Sequence, residues 1–285
     1  MAASNTLISA AELIALQQRG ETIVLVECSF DLFDVDAGER AWRASHPSGA
    51  HYLHLERDLS GAKTGTNGRH PLPERAAFAR TLGSCGVTPA TPVVALDRQG
   101  GVYAARLWWM LRWIGHADAA VLDGGFDAWQ AAGGATSAHA PVDAAATAPA
   151  PYPESAPLVA TTSAAALESE LGRVRLIDAR AGERFRGEVE PLDAQAGHIP
   201  GALNRFFKDN LAQDGRFKPA DQLRAEFLPL LAGEPAERVV HQCGSGVTAC
   251  HNLLAMEHAG LAGSKLYPGS WSEWSADPTR PVARG

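Results

Sequence analysis

One cysteine in this chain stands where thiol chemistry is favoured. The stretch Val239-Val240-His241-Gln242-Cys243-Gly244-Ser245-Gly246-Val247-Thr248-Ala249-Cys250 opens as a short β-branched apolar run, which predicts the end of a buried strand. Cys243-Gly244-Ser245-Gly246 reads as a tight loop. Val247, Cys250, Leu253 and Leu254 then recur at helical spacing up to Gly260 or Gly263. The cysteine thus falls between a strand end and a helix start. The first helical N–H groups have no partner within their helix, and the helix dipole is positive there. Two glycines let the backbone curl so that these N–H groups point inward as an anion-binding nest. A thiolate in such a nest is stabilised over its thiol, so its pKa is expected below the ordinary value of about 8.5. Cys243 is the candidate nucleophile.

Other readings of the four cysteines are weaker. A cysteine in an apolar strand–helix unit is ordinarily a packing residue, and that is the reading for Cys28, Cys85 and Cys250. Cys250 lies about two helical turns beyond Cys243, too far to bridge to it easily. A zinc site from His241, Cys243, Cys250 and His251 lacks the paired Cys-x-x-Cys spacing, so no metal is expected.

The loop Cys243-Gly244-Ser245-Gly246-Val247-Thr248, followed by Ala249, resembles the active-site loop of the rhodanese superfamily, and its mercaptopyruvate sulfurtransferase branch in particular. Thiosulfate sulfurtransferases often place basic residues at the two positions after the cysteine. The resemblance implies that Cys243 takes a sulfane sulfur from a small anionic donor, 3-mercaptopyruvate or thiosulfate. It then holds the sulfur as a persulfide and passes it to a thiol, thioredoxin or cyanide. No cofactor is called for. Loop N–H groups from Gly244, Gly246, Val247 and Thr248 would spread the persulfide's charge.

Further site residues follow from the same resemblance. Asp178-Ala179-Arg180 with Glu183-Arg184-Phe185-Arg186 is similar to the family stretch whose arginine holds the donor's negative end; Arg184 matches it, and Arg186 is the nearby competitor. A guanidinium can grip a carboxylate through two parallel hydrogen bonds. Where mercaptopyruvate enzymes often carry Glu-Pro-Arg, this chain has Glu190-Pro191-Leu192, and Leu192 cannot bind a carboxylate. Ser245, His70 and Glu56 match a serine–histidine–carboxylate relay that could polarise the donor's carbonyl or manage a proton. The plainer alternatives are a helix-capping serine, a turn histidine and a surface acid. His198 is expected to order its own turn.

The elements that must position these groups read as a repeat. In the first half, Ser9 and Glu12 form a predicted capping box opening a short helix. Thr22-Ile23-Val24-Leu25-Val26-Glu27 reads as a buried strand, residues 31–45 as a polar stretch with Trp42, 73–82 and 102–114 as helices, and 92–97 and 119–122 as strands. The pattern restarts later: Arg175-Leu176-Ile177-Asp178 echoes Val24-Leu25-Val26-Glu27, and Gly246-Val247 echoes Gly101-Val102. Nearly constant offsets predict a duplicated domain. Alternating strands and helices predict an α/β fold, in each half a parallel sheet flanked by helices on both faces, and the family resemblance implies that the halves are two tandem rhodanese-like domains. The expected boundaries are 1–135 for a catalytically silent domain, 136–157 for an Ala/Pro-rich linker and 158–285 for the catalytic domain. Aligning Gly101 with Gly246 sets Arg98 opposite Cys243, and an arginine cannot be a sulfur nucleophile. The donor is expected to enter where the domains meet.

Composition narrows the function. The 285 residues carry a net charge of −7, which argues against a general nucleic-acid or anionic-membrane surface. Four irregularly spaced cysteines suit a reducing compartment, and no signal peptide or membrane span is read, so the expected location is cytoplasmic. A monomer is the default expectation. A phosphatase of this fold would end its loop in an arginine, where this chain has Ala249. A non-catalytic rhodanese-like binding module is the alternative class, but such modules have lost the cysteine that this chain keeps.

Overall fold

The structure, a computed structural model, describes residues 6–138 and 150–285. The chain divides into two units. The first comprises residues 1–60 and 73–158, the second residues 61–72 and 159–285. The ribbon Gly61–Leu72 therefore leaves the first unit's chain and belongs to the second, which the sequence pattern does not indicate.

The first unit runs β1 (Leu7–Ile8), α1 (Ala10–Gln18), β2 (Val24–Glu27), α2 (Ala37–Ala44), β3 (His46–Pro47), β4 (His51–Tyr52), α3 (Arg75–Ser84), β5 (Val93–Leu96), α4 (Val102–Trp113), β6 (Ala119–Leu122), α5 (Gly125–Ala131) and β7 (Thr136–Ser137). Its main sheet has the order β1-β6-β5-β2-β4, every pair parallel. Side chains alternate across a strand. Leu25, Val94, Leu96, Ala120 and Leu122 meet α1 and α5 through Leu13, Phe126 and Trp129 on one face. The intervening Val26, Val93, Ala95 and Val121, all fully buried, point to the opposite face, and α4 packs on β5 and β6. The capping box is present: the Glu12 N–H donates to Ser9 Oγ at 3.2 Å and the Ser9 N–H to Glu12 Oε2 at 3.0 Å. The predicted linker lies partly outside the described residues. Within its described stretch, Tyr152, Ser155 and Leu158 donate backbone hydrogen bonds to Ala79, Ile114 and Arg112, so residues 150–158 lie along α3 and α4.

The second unit runs β8 (Ala160–Thr161), α6 (Ala164–Ser169), β9 (Arg175–Asp178), α7 (Gly182–Arg186), β10 (Leu203–Asn204), α8 (Ala220–Leu231), β11 (Val239–Gln242), α9 (Thr248–His258), β12 (Lys265–Leu266) and α10 (Ser270–Trp274), with short 3₁₀ turns at Phe207–Asn210 and Ala236–Arg238. Its parallel sheet, β8-β12-β11-β9-β10, repeats the first unit's order strand for strand. α6 and α10 cover the face bearing Leu176 and Val240. α9 covers the other, where His241 Nε2 lies 3.1 Å from Met256 Sδ. Burial lowers the His241 pKa to about 3, so this ring is neutral packing material.

Candidate active site

Cys243 directly follows β11, the central strand, and α9 begins five residues later. The loop between them is tied down on several sides. The Trp271 and Ser272 N–H groups donate to the carbonyls of Cys243 and Gly244, each at 2.9 Å. The Cys243 N–H donates to Ser270 Oγ at 3.1 Å. The Cys250 thiol donates to the Gly246 carbonyl at 3.3 Å, so this cysteine props the loop. Gly246 holds φ at +76°, and a Cβ there would stand 2.3 Å from the Pro268 carbonyl oxygen. Cys243 itself is 2 % exposed, at the bottom of the loop. Sequence reasoning misses Ser270. It is one of only two non-glycine residues at positive φ among those described (+53°), a conformation that clusters at functional sites. A serine after a Pro-Gly turn gives no sequence signal of that role.

The equivalent loop of the first unit shows what this backbone does with an anion. Strand register pairs Glu27 with Leu96 in β5 and Asp178 with Gln242 in β11. The residue opposite Cys243 is therefore Asp97, not the Arg98 that the glycine alignment suggests. Gly246 answers to Gly100, whose φ of +74° matches, rather than to Gly101. The Asp97 carboxylate accepts N–H bonds from Gln99 (2.9 Å), Gly101 (2.8 Å), Tyr103 (2.8 Å) and Ala104 (3.0 Å). Asp97 is 1 % exposed, so these bonds are its solvation. Arg98 turns aside, bonding Glu27 Oε1 at 2.7 Å and stacking 3.8 Å from the Phe126 ring centre.

The ribbon 61–72 brings His70 to the loop. The Gly61 N–H donates to the Pro71 carbonyl at 2.9 Å, closing the ribbon, and the Arg69 N–H donates to Ser272 Oγ at 2.9 Å. His70 Nδ1 then lies 2.8 Å from Ser245 Oγ, both residues buried. Two members of the predicted relay thus meet. Glu56 belongs to the first unit, where its N–H donates to His54 Nδ1 at 3.1 Å.

Arg184 also reaches the loop. Its Nη2 bonds Glu190 Oε1 at 2.6 Å and Asp193 Oδ2 at 3.1 Å, while a Cβ on Gly244 would lie 3.5 Å from its Nη1. Arg186 points elsewhere and pairs with Glu188 at the surface. Arg69, absent from the sequence-based set, bonds Asp193 Oδ1 at 2.5 Å. Burial pushes the Asp193 carboxyl up against the opposing pull of Arg69 and Arg184, with Glu190 adding to the rise. Behind them Arg180 is spent on Asp178 and the Gly197 carbonyl, under the Trp271 ring. His198 stacks on Phe185 and its Nδ1 lies 2.8 Å from the Phe185 carbonyl, so its ring ties its turn to α7. Val247 is buried at the start of α9 and Thr248 is half-buried beside it. Burial raises the Cys28 thiol far above its ordinary value and Cys85 to about 11, which keeps both as thiols. Among the described residues no group of three or more His, Cys, Asp or Glu could hold a metal ion.

The family description Rhodanese-like domain matches this chain twice, over residues 9–132 and 162–277. The chain belongs to the rhodanese family. Within it, a Pseudomonas aeruginosa protein named "Probable 3-mercaptopyruvate sulfurtransferase" is 46% identical over 99% of each chain. The mouse "Thiosulfate sulfurtransferase" is 32% identical over 96% of this chain and 93% of its own. Among solved rhodanese structures, "3-mercaptopyruvate sulfurtransferase from Leishmania major" superposes with a TM-score of 0.81 at 30% identity, covering 95% of this chain and 74% of that one. The duplicated α/β domain expected from the repeat and the rhodanese fold implied by the resemblance are both found, and the second rhodanese copy holds Cys243. No described helix is long and apolar enough to cross a membrane.

Proposed function

We propose that this chain is a sulfurtransferase that moves a sulfane sulfur from 3-mercaptopyruvate to a thiol acceptor through a persulfide on Cys243. The observation that carries the reading is the pair of loops. The same strand–loop–helix turn that solvates a carboxylate with four N–H groups in the first unit holds a cysteine at the matching position in the second. The names of whole-length relatives point the same way.

In the first step the Cys243 thiolate attacks the donor's thiol sulfur. The new S–S bond forms as the C–S bond breaks, and the electron pair leaves on carbon as the enolate of pyruvate. That enolate takes the proton from the transferred sulfur. Carbon is reduced and sulfur oxidised within one molecule pair, so no outside redox partner enters. Ser245, with His70 on its hydroxyl, polarises the donor's carbonyl as the enolate develops. Loop N–H groups carry the persulfide's charge. An acceptor thiolate then takes the outer sulfur and restores Cys243, a ping-pong cycle. Thiosulfate enters the same first step with sulfite as the leaving group. The four described thiols are all free, which suits a reducing compartment such as the cytoplasm, with the chain acting as a monomer.

The test is mass spectrometry after donor treatment. The peptide holding Cys243 should gain one sulfur with mercaptopyruvate and lose it on adding a thiol, and Cys243→Ser should gain none. A persulfide on Cys85 or Cys250 instead would overturn the assignment.

A further inference from the structure

Each unit builds the same ring stack beside its edge strand, with different chemistry. In the second, His198 stacks on Phe185 and its Nδ1 lies 2.8 Å from the Phe185 carbonyl. In the first, His46 stacks on Trp42 with ring centres 4.4 Å apart, and its Nδ1 lies 2.7 Å from the Trp42 carbonyl. Strand register matches a further pair: His51 of β4 stands opposite Val26 of β2 as Leu203 of β10 stands opposite Ile177 of β9. At both positions the second unit has a hydrocarbon side chain and the first has a ring bearing an N–H. The fold needs neither N–H, since Phe185 and Leu203 serve without one. Yet Trp42 is 8 % exposed, and its buried Nε1 has no acceptor among the described residues. The half-buried His51 ring has no hydrogen-bond partner among them either, and burial holds it in the neutral form. A buried donor left unbonded is destabilising, so its partner is to be sought outside the chain.

Trp42 and His51 line one cavity of about 780 Å³ that lies wholly within the first unit, between α2, β4 and the end of α3. That volume is in the range of small-molecule sites. Tyr52 adds a second aromatic wall, its ring 5.9 Å from that of Trp42, which suits a flat ligand. Charge in the lining is already matched. Arg57 is its one Arg or Lys among the described residues, and it pairs with Glu39. Asp58 accepts the His54 N–H at 2.7 Å. No cation is left to hold a phosphate or carboxylate. We propose that this cavity binds a neutral planar heteroaromatic molecule, whose ring nitrogen or carbonyl accepts the Trp42 Nε1–H and whose other polar edge meets His51. A neutral imidazole both donates and accepts, so His51 takes either kind of edge. The unit that lacks the nucleophile thus carries a ligand site of its own.

None of the lining residues takes part in the proposed sulfur transfer, so this inference and that reading stand or fall separately. The full chain is labelled with nitrogen-15, and the Trp42 indole N–H resonance is identified by its loss in Trp42→Phe. Adenine, nicotinamide and uracil are then titrated, with benzoate as an anionic contrast and indole as a planar contrast without a ring acceptor. At least one of the three heteroaromatics should move the Trp42 resonance downfield, with half-saturation at or below about 1 mM. Benzoate and indole should bind at least about tenfold more weakly. Trp42→Phe and His51→Leu, which copy the second unit, should each weaken that heteroaromatic at least about fivefold by calorimetric titration, without lowering the melting temperature. If Trp42→Phe does not fold, His51→Leu alone decides. The inference falls if none of the three heteroaromatics moves the resonance, if benzoate or indole binds as tightly, or if the folded variants bind like the wild type.

Discussion

The two loops at the ends of β5 and β11 are built alike and used differently. Each follows the middle strand of the same five-stranded order, and each has a left-handed glycine at the matching place, Gly100 or Gly246. They diverge at the very next residue. Gly101 has φ +90°, and the start of α4 wraps the Asp97 carboxylate. Val247, β-branched, stays at φ −91°, and the Cys250 N–H goes to the Val247 carbonyl at 3.0 Å. The first loop has closed on an anion of its own. The second holds a cysteine, Cys243, at the position of that carboxylate. A similar exchange lies behind the loops. Arg98 covers Phe126 and pairs with Glu27 in one unit, while Arg180 covers Trp271 and pairs with Asp178 in the other. In the second unit the cation comes from after β9, which leaves the residue following the cysteine free to be a glycine.

The largest effect should come from making the second loop like the first. Cys243→Asp should fold and lose turnover by at least about a thousandfold, since covalent catalysis has no nucleophile left. Measurable sulfur transfer by that variant would break the comparison. Emptying the first loop comes next. Asp97→Ala strands several buried N–H donors and should cost about 3 kcal/mol in denaturant unfolding. A cost no larger than that of a surface substitution, about 0.5 kcal/mol, would mean that the carboxylate is not what holds that loop. Removing the hydroxyl beside the nucleophile is milder. Ser245→Ala should lower kcat for mercaptopyruvate about a hundredfold, with a smaller loss for thiosulfate, which presents no carbonyl to polarise. Equal losses for both donors would reassign Ser245 to capping α9. The smallest change sharpens the contrast between Ser270 and Gly125, which share a left-handed φ (+53° and +58°). Ser270→Gly removes the acceptor for the Cys243 N–H but relieves backbone strain. It should change stability by only about 1 kcal/mol while lowering kcat.

Much of this is legible in the residues. The repeat and the strand–loop–helix unit at Cys243 follow from apolar period and short motifs, while Arg184, His70 and Ser245 are named only by the family resemblance that those motifs carry. What is not legible depends on contacts that leave no periodic trace. α2 reads as polar because its buried side is only Gly38 and Trp42, while Glu39, Arg40 and Arg43 stand among alanines in ion pairs. Matching glycines by type sets Arg98 opposite Cys243, although the two glycines have different backbone roles; only strand pairing separates Gly100 from Gly101. Arg69 stands in a ribbon without hydrophobic period, whose place is fixed by Gly61, Gly68 and a backbone bond to Ser272.

That ribbon also bears on how such a protein can be made and inherited. It leaves the ribosome early, ahead of most of the first unit, and waits unclaimed until the last third of the polypeptide emerges. The unit with the cysteine therefore cannot mature in simple N-to-C order; its final strands must recruit one of the oldest stretches of the nascent chain. A gene fragment encoding only the later repeat would carry the sulfur-bearing residue without His70 or Arg69. Here lies a physical reason for both copies to persist in a single reading frame although one of them has Asp97 where the other has Cys243.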